Sequence, residues 1–274
     1  MKNQFSFLIL AIAVTSTILG GCNSNSTSSL PVSTSTSLSN PAAPSSPVAA
    51  SPSPSSHSLP ILAGELGIQV SVDLRANDGP VEDQFGGTCS AFGTAAAMDN
   101  YIHSQGTNKN VSEEYLWSLY DQYSIDDAVQ AATQNYVEEE SDWPVDGRAL
   151  ASVKGSSSFK ITQSTDLQYD LNAALQAINL GHALVMAIQV PASMDNCDDM
   201  VDPTSAYTSG QHVIEAAGYQ LDDSVAGGGY FIIKNSWGPQ CGMSGYQYYP
   251  FALCQRSDLY CYFIQLDGIA QKTN

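Results

Sequence analysis

The sequence has few basic residues. Nine Lys and Arg stand against 27 Asp and Glu, and the formal net charge at pH 7 is −18. All of the acidic residues and eight of the basic ones lie in residues 61–274. Nucleic acid and anionic membrane surfaces suit this part of the chain poorly, because like charges would be brought together. We therefore expect no nucleic-acid partner, whereas a cationic peptide or protein is favoured electrostatically.

Long apolar runs and metal-binding motifs are also missing. The apolar stretch from Phe7 to Leu19 is shorter than the about 20 residues that a transmembrane helix needs. The chain contains no C-x-x-C pair and no His-rich cluster, so no zinc site is predicted. We expect neither a metal ion nor a cofactor.

The first 22 residues have the pattern of a secretory signal, with Lys2, the apolar stretch and then small residues before Cys22. The ending LGGC resembles a bacterial lipobox. This resemblance implies that residues 1–21 are a lipoprotein signal peptide and that Cys22 carries a lipid, anchored stably by two or more acyl chains. The protein would then lie in the cell envelope, on the outer membrane or cell surface, and would contact the membrane through its lipid only. An ordinary signal peptide cut nearby is the alternative.

Residues 23–60 are poor in apolar and charged side chains: 25 of these 38 residues are Ser, Thr or Pro. Such a segment buries too little apolar surface to offset the entropy of ordering it. We expect residues 22–60 to form a lipidated, disordered tether and residues 61–274 to form one folded domain.

Cysteines are few, and their number is informative. An exported protein lies where disulfides persist, and five cysteines besides Cys22 leave one thiol over. We expect one free thiol and two disulfides among the other four, for which three connectivities are possible. The five are Cys89, Cys197, Cys241, Cys254 and Cys261.

Helical patterns come first in the domain and strand patterns come second. Apolar spacing and capping residues, including Ser112 as an N-cap, predict four helices, and short apolar or aromatic runs bounded by Gly, Pro, Asp and Ser predict four strands. This order indicates an α+β fold with two lobes and a cleft that suits an active site. The helices are predicted over 89–103, 111–122, 125–137 and 169–179, and the strands over 183–190, 212–219, 229–235 and 245–249.

Three blocks, VEDQFGGTCSAF (81–92), QHVIEAAGY (211–219) and YFIIKNSWG (230–238), resemble the signature blocks of papain-family cysteine peptidases in the family's order Cys, His, Asn. The resemblance covers 61–274. It implies a papain-like fold, with a helical left lobe over about 75–165, an antiparallel, β-barrel-like right lobe over about 166–274, and the active site in the cleft between them.

The residue types suit the roles that this resemblance implies. A thiolate nucleophile needs a nearby imidazolium and is stabilised at a helix N-terminus, where Cys89 is predicted. His212 would pass a proton to the leaving amine, and Asn235 would orient its ring. Gln84 and the Cys89 backbone N–H would bind the oxyanion, and Trp237 would cover the His–Asn hydrogen bond.

Several positions depart from the family's pattern. Gln84 and Cys89 are one residue closer than usual, so the oxyanion turn would be rebuilt with Gly86 and Gly87. The substrate-binding loop near Ile125 is shortened, and Glu215 either pairs with Lys234 on a neighbouring strand or lines a substrate pocket. The resemblance also implies two disulfides, Cys197–Cys261 and Cys241–Cys254.

We therefore expect a monomeric cysteine-type peptidase, tethered to the bacterial cell envelope, that hydrolyses peptide bonds through an acyl-enzyme on Cys89. One alternative is an inactive papain-fold binding protein, which the short Gln84–Cys89 spacing favours. A less favoured one is a peptidoglycan hydrolase, in which His lies much closer to Cys than the 123 residues that separate Cys89 from His212.

Overall fold

An antiparallel sheet of eight strands organises the structure, a computed structural model that describes residues 59–120, 123–145 and 157–273. Seven strands follow the order β2-β3-β8-β4-β5-β6-β7, and β1 pairs with β5. The strands are β1 (Ser71–Asp73), β2 (Val137–Glu138), β3 (Ser157–Gln168), β4 (Leu184–Pro191), β5 (Tyr207–Leu221), β6 (Gly229–Lys234), β7 (Tyr246–Pro250) and β8 (Cys261–Thr273). The helices are α1 (Leu59–Leu66), α2 (Cys89–Ser104), α3 (Glu113–Ser118), α4 (Ile125–Gln134), α5 (Leu171–Asn179), α6 (Ala192–Asp195) and α7 (Phe251–Cys254), with a 3₁₀ helix over Arg75–Asn77.

Apolar side chains cover both faces of the sheet, as β4 shows. Leu184, Met186 and Ile188 pack into one apolar cluster, whereas Val185 and Ala187 pack into the other with α2. Side chains alternate between the faces of a strand, so a continuous apolar run such as LVMAIQVP serves two cores. The centre of the sheet, at β4, is therefore buried on both faces.

Helix α2 packs directly on β5, and Gly93 allows the close approach. A Cβ atom at Gly93 would lie 2.8 Å from the backbone nitrogen of Ile214, closer than atoms can pack. The contact fixes the start of α2, where Cys89 lies, relative to the strand that carries His212.

Side-chain caps set the starts of the shorter helices. The predicted N-cap Ser112 is confirmed, since its Oγ accepts the backbone N–H of Tyr115 at 3.0 Å. Ser124 Oγ accepts the backbone N–H of Asp127 at 3.1 Å in the same way and starts α4. These caps satisfy N–H groups that have no partner within the helix, and the second one places Ile125 at the cleft.

The α+β fold is confirmed, and each predicted helix and strand corresponds to one in the structure, with shifted ends. Two long strands, β3 and β8, were not predicted; they pair over residues 157–168 and 263–273. The predicted end of the helix over 125–137 is wrong, because α4 ends at Gln134 and Val137 begins β2. The boundary near 165 falls within β3, and α1 begins at Leu59, inside the predicted tether.

The predicted signal peptide, most of the predicted tether and Cys22 lie outside the described residues. Within the described ranges, no helix is long and apolar enough to span a membrane.

The predicted disulfide pairs are wrong. The structure contains Cys197–Cys241 and Cys254–Cys261 instead. The chain after Cys197 runs beside β7, where Tyr248 accepts and donates backbone hydrogen bonds, and this path brings Cys197 to Cys241. The other pair closes the short loop between α7 and β8. Cys89 belongs to neither of these two bridges.

Candidate active site

Cys89 is the first residue of α2, a helix of 16 residues, and is 1% exposed. The preceding turn is held by Thr88, whose Oγ1 donates to the carbonyl oxygen of Phe85 at 2.7 Å. Gly86 adopts φ +53°, a conformation that glycine favours, and a Cβ atom at Gly87 would lie 2.9 Å from the ring of Tyr123. The two glycines thus shape the turn that delivers Cys89 to the helix N-terminus, where the dipole favours a thiolate.

His212 and Asn235 lie side by side on β5 and just after β6. Nε2 of His212 is 2.8 Å from Oδ1 of Asn235. The same oxygen accepts the backbone N–H of Ser236 at 2.7 Å, and Asn235 Nδ2 donates to Oε1 of Gln247 at 2.9 Å. These contacts fix the orientation of the amide, so its oxygen faces the imidazole and Nε2 carries the proton.

Trp237 covers this pair. Its ring stacks on the His212 imidazole with 4.7 Å between centroids and 19° between the planes. The stacked ring limits the access of water to the imidazole, and His212 is only 1% exposed.

Burial lowers the pKa of His212 to about 4, and the hydrogen bond with Asn235 opposes this shift. The ring is therefore neutral at pH 7 as long as Cys89 carries no charge. A thiolate at Cys89 would raise the pKa of the imidazole, because an opposite charge nearby favours the charged form.

Gln84 is tied to the segment that follows Asn235. Its backbone N–H donates to the carbonyl of Ser236 at 2.7 Å, and its Oε1 accepts the Ser236 hydroxyl at 2.6 Å. Gln84 Nε2 donates to the carbonyl of Gly86 at 3.1 Å. An amide NH₂ group has two donors, so one N–H of Gln84 stays available to a ligand.

A cavity of about 100 Å³ has Cys89 and His212 in its wall together with Ile125. The structure thus brings together three residues that the sequence analysis selected from distant positions. Two further wall residues, Tyr123 and Tyr260, were not selected, because aromatic residues before α4 and β8 carry no local signal of a site.

A second recess adjoins the other side of His212. Gln84, Trp237 and Asp195 take part in its wall. Burial raises the pKa of the Asp195 carboxyl. Asp195 and Gln247 also escaped the sequence analysis, since each reaches the site from an element far away in sequence.

Glu215 does not line the cavity at Cys89; that part of the prediction is wrong, because the residue is 0% exposed. It lies directly opposite Lys234 in the β5–β6 register, as the alternative predicted. Burial raises the pKa of Glu215 well above its usual value, Asp78 raises it further, and Lys234 opposes both. The Lys234 ammonium donates to the carbonyl of Gly79 at 3.1 Å. Glu215 thus belongs to a buried polar group between α2 and the sheet.

The fold and these side chains place the chain in the class of proteins with a Cys-His-Asn arrangement. Residues 68–258 match the family described as papain family cysteine protease. Since the match covers more than half of the chain, the protein belongs to this family.

Named relatives align with part of this chain. Peptidase 1 of Dermatophagoides farinae is 26% identical over 201 residues, which are 67% of this chain and 61% of that protein. Cathepsin B-like CP2 of Giardia intestinalis is 35% identical over 96 residues, which are 34% of this chain and 31% of that protein. The chain thus matches about a third of the Giardia protein and about three-fifths of the mite protein.

Solved structures share the fold. Xylellain, a cysteine protease from Xylella fastidiosa, aligns with a TM-score of 0.60 and 21% identity over 74% of this chain and 88% of its own. The bromelain protease from Ananas comosus, solved with the E64 inhibitor, aligns with a TM-score of 0.52 and 20% identity over 66% of this chain and 89% of its own. At these identities the likeness shows the fold alone.

Proposed function

We propose that the protein is a cysteine-type peptidase that hydrolyses peptide bonds through a thioester on Cys89. One observation carries the proposal: Cys89, at the N-terminus of α2, shares a cavity with His212, whose ring is held by Asn235. The active form is the reduced one, in which Cys89 is a thiol or a thiolate.

In this proposal, each ring nitrogen of His212 has its own role. Nε2 donates to Asn235, which leaves Nδ1 to exchange a proton with the Cys89 sulfur. The thiolate attacks the scissile carbonyl carbon, a C–S bond forms, and the oxyanion accepts hydrogen bonds from the Cys89 N–H and the remaining Gln84 N–H. His212 then gives its proton to the leaving amine as the C–N bond breaks.

Deacylation reverses the proton transfer. A water molecule gives a proton to Nδ1 of His212 and attacks the thioester carbonyl, the C–S bond breaks, and the product carboxylic acid leaves. The proton on His212 returns to the Cys89 sulfur. One water is consumed for each bond cleaved.

The decisive experiment measures the reactivity of Cys89 in the reduced protein. Iodoacetamide is applied between pH 4 and 9, and each cysteine is followed by peptide mass mapping, with His212→Ala as the comparison. We expect fast alkylation of Cys89 at about pH 5 that is lost in the variant, as for a thiolate paired with an imidazolium. Reaction only above about pH 8, as for an ordinary thiol, would overturn the proposal.

An inactive papain-fold binding protein is the second candidate. It is favoured by the Gln84 side chain, which already donates to Gly86, and by the short Gln84–Cys89 spacing. Turnover of a mixed peptide library by the reduced protein, absent in Cys89→Ala, distinguishes the two. Retention of library peptides without cleavage would favour the binding protein.

We also propose that the domain is anchored to the bacterial cell envelope by a lipid on Cys22. The LGGC sequence supports this proposal, and the disulfides Cys197–Cys241 and Cys254–Cys261 suit an exported protein. Mass spectrometry of the N-terminal peptide from membranes tests it. A diacylglycerol adduct at Cys22, with release of the Cys22→Ser protein into solution, is expected; an unmodified Cys22 would contradict it.

The substrate that we propose is a peptide or protein with basic residues, bound by a monomeric enzyme. The charge of residues 61–274 and the carboxylate of Asp195 beside His212 support this choice.

A further inference from the structure

A third, larger cavity lies between α4 and strands β3 and β8, apart from the residues of the proposed reaction. Its volume is about 450 Å³, within the range of ligand-binding pockets. Val129 and Ile264, both buried, form an apolar part of its wall, and Gln130 contributes a side-chain amide. We call this cavity the α4 groove.

Two carboxylates line the α4 groove and lie close to the phenol of Tyr262. Asp126 belongs to α4 and Asp166 to β3, so they reach the groove from opposite walls. The Tyr262 hydroxyl donates to Asp126 Oδ1 at 3.4 Å. Asp166 lies opposite Ile264 in the β3–β8 register, and Tyr262 is two residues from Ile264 on the same face of β8. Burial raises the pKa of Tyr262, and Asp166 and Asp126 raise it further.

No basic side chain of the described residues forms an ion pair with either carboxylate. The ammonium group of Lys160, a residue of β3, donates to the carbonyl of Gln134 at 3.2 Å and lies over the ring of Tyr136. That contact is at the C-terminal end of α4, whereas Asp126 is in its first turn. The groove is therefore acidic at the end of α4 that faces the cleft.

A row of tyrosines connects the α4 groove to the Cys89 cavity. The ring of Tyr169, which is 66% exposed, lies 5.3 Å from that of Tyr262 and 6.2 Å from that of Tyr260. Tyr260 lines the Cys89 cavity, as does Ile125, the residue before Asp126. A polypeptide in the cleft could thus continue over the tyrosines into the groove.

We infer that the α4 groove binds a lysine or arginine side chain of the substrate polypeptide, away from the scissile bond. The aliphatic part of that side chain packs on Val129 and Ile264, and its charged end lies between Asp126 and Asp166, where it offsets their mutual repulsion. The exposed ring of Tyr169 suits a cation at the entrance. This inference rests on the proposed peptidase function and adds a recognition site to it.

The test compares two fluorogenic peptides that share a cleaved core. One carries a single Lys, placed in turn at each position beyond the core, and the other carries Gln there. For the reduced protein we expect a KM about fivefold lower for the best Lys peptide, the scale of one accessible ion pair, with similar kcat. In D126N/D166N the two KM values should become equal with kcat unchanged. Equal KM values in the unaltered protein, or an undiminished preference in the double variant, would overturn the inference.

Two further measurements make the result specific. The double variant E65Q/D199N removes the same number of charges at residues that do not line the groove and should keep the preference. Binding of the Lys peptide to Cys89→Ala, measured by fluorescence anisotropy, should weaken about fivefold when D126N/D166N is added. This binding result tests the groove even if no peptide is cleaved, whereas failure of the reduced protein to cleave any peptide counts against the peptidase function alone.

Discussion

Oδ1 of Asn235 accepts two hydrogen bonds, from Nε2 of His212 at 2.8 Å and from the backbone N–H of Ser236 at 2.7 Å. The amide nitrogen of Asn235 is held in turn by Gln247, which is 0% exposed and donates to the carbonyl of Asp198. The orientation of the His212 imidazole therefore depends on two further side chains: Asn235, which contacts it, and Gln247 on β7, which holds Asn235.

Replacement of Gln247 tests this chain. Gln247→Met keeps the approximate volume but removes the acceptor for Asn235 Nδ2, so the amide can rotate and the imidazole loses its alignment. We expect kcat to fall about tenfold, the effect of losing one net hydrogen bond, with little change in KM. Gln247→Glu keeps the acceptor for Asn235 but loses the donor to the Asp198 carbonyl, so it should recover part of the activity. Equal losses in both variants would mean that packing, and not the hydrogen bond, is what matters.

The titration of His212 gives a second prediction. In Cys89→Ala no thiolate can form, and NMR should show a pKa of about 4 for His212 because the ring is buried. This value lies below the unfolded value of about 6.5. The contribution of His212 to stability is therefore present above pH 6.5 and is lost as the pH falls toward 4. Adding Trp237→Ala should expose the ring and raise its pKa toward 6.5; an unchanged pKa would show that Trp237 does not control its burial.

The raised pKa of Glu215 predicts that its contribution to stability changes with pH in the direction opposite to that of His212. Its pKa is raised above the unfolded value of 4.5 by burial and by Asp78, so the folded state holds the proton more tightly. Its contribution to stability is present below about pH 4.5 and is lost as the pH rises through the folded pKa. Glu215→Gln should therefore gain stability relative to the unaltered protein as the pH rises from 4.5 to 8.

Urea unfolding at pH 4.5 and pH 8 measures this difference. Glu65→Gln is the control, since Glu65 is exposed on α1 and should leave the difference between the two pH values unchanged. A loss of stability in Glu215→Gln at pH 8 would instead show that Glu215 is ionised and stabilised by Lys234.

The position of Asp195 predicts a preference for basic substrate residues close to the scissile bond. It lines the recess beside Gln84 and His212, where its carboxylate would attract a basic substrate side chain. Asp195→Asn should raise KM about fivefold for peptides with Lys next to the cleaved bond and leave Gln peptides unaffected. Profiling with a library that varies the residues on both sides of the bond measures this effect. A shift for all peptides alike would point to damage of the His212 site.

The two disulfides should contribute unequally to stability. They close loops with sequence separations of 44 for Cys197–Cys241 and 7 for Cys254–Cys261. In the chain-entropy model, losing the first costs about 4 kcal/mol and losing the second about 2 kcal/mol. Guanidinium unfolding of the two paired Cys→Ser variants at pH 7 gives these values. Equal costs would show that strain or unfolded-state structure outweighs loop length.

The sequence analysis identified the candidate catalytic residues better than it identified the residues around them. Cys89, His212 and Asn235 lie in blocks that carry a local pattern, so they could be found without knowing the fold. Gln247, Asp195 and Tyr260 could not, because each matters only through a neighbour that the fold brings close.

The same limit explains the missed strands and the wrong disulfides. Strand β3 reads SSFKITQSTDLQ, in which polar residues hide the alternation that identifies a strand, and only its pairing with β8 makes it one. The pairing of Cys197 with Cys241 depends on the path of residues 198–201 along β7, which spacing in the sequence does not record.

The contacts between Gln84 and Ser236 have a mechanical consequence. Backbone bonds join Gln84 to Ser236 and Gly238 to Glu82, like two rungs of a ladder, and the Ser236 hydroxyl adds a third link. The proposed oxyanion donor, Gln84, and the segment that begins at Asn235 are therefore held together as one unit. Widening the cleft between these two segments would displace both groups at once, so we expect adaptation to bulky substrates along the opposite wall, which Tyr123 and Tyr260 line.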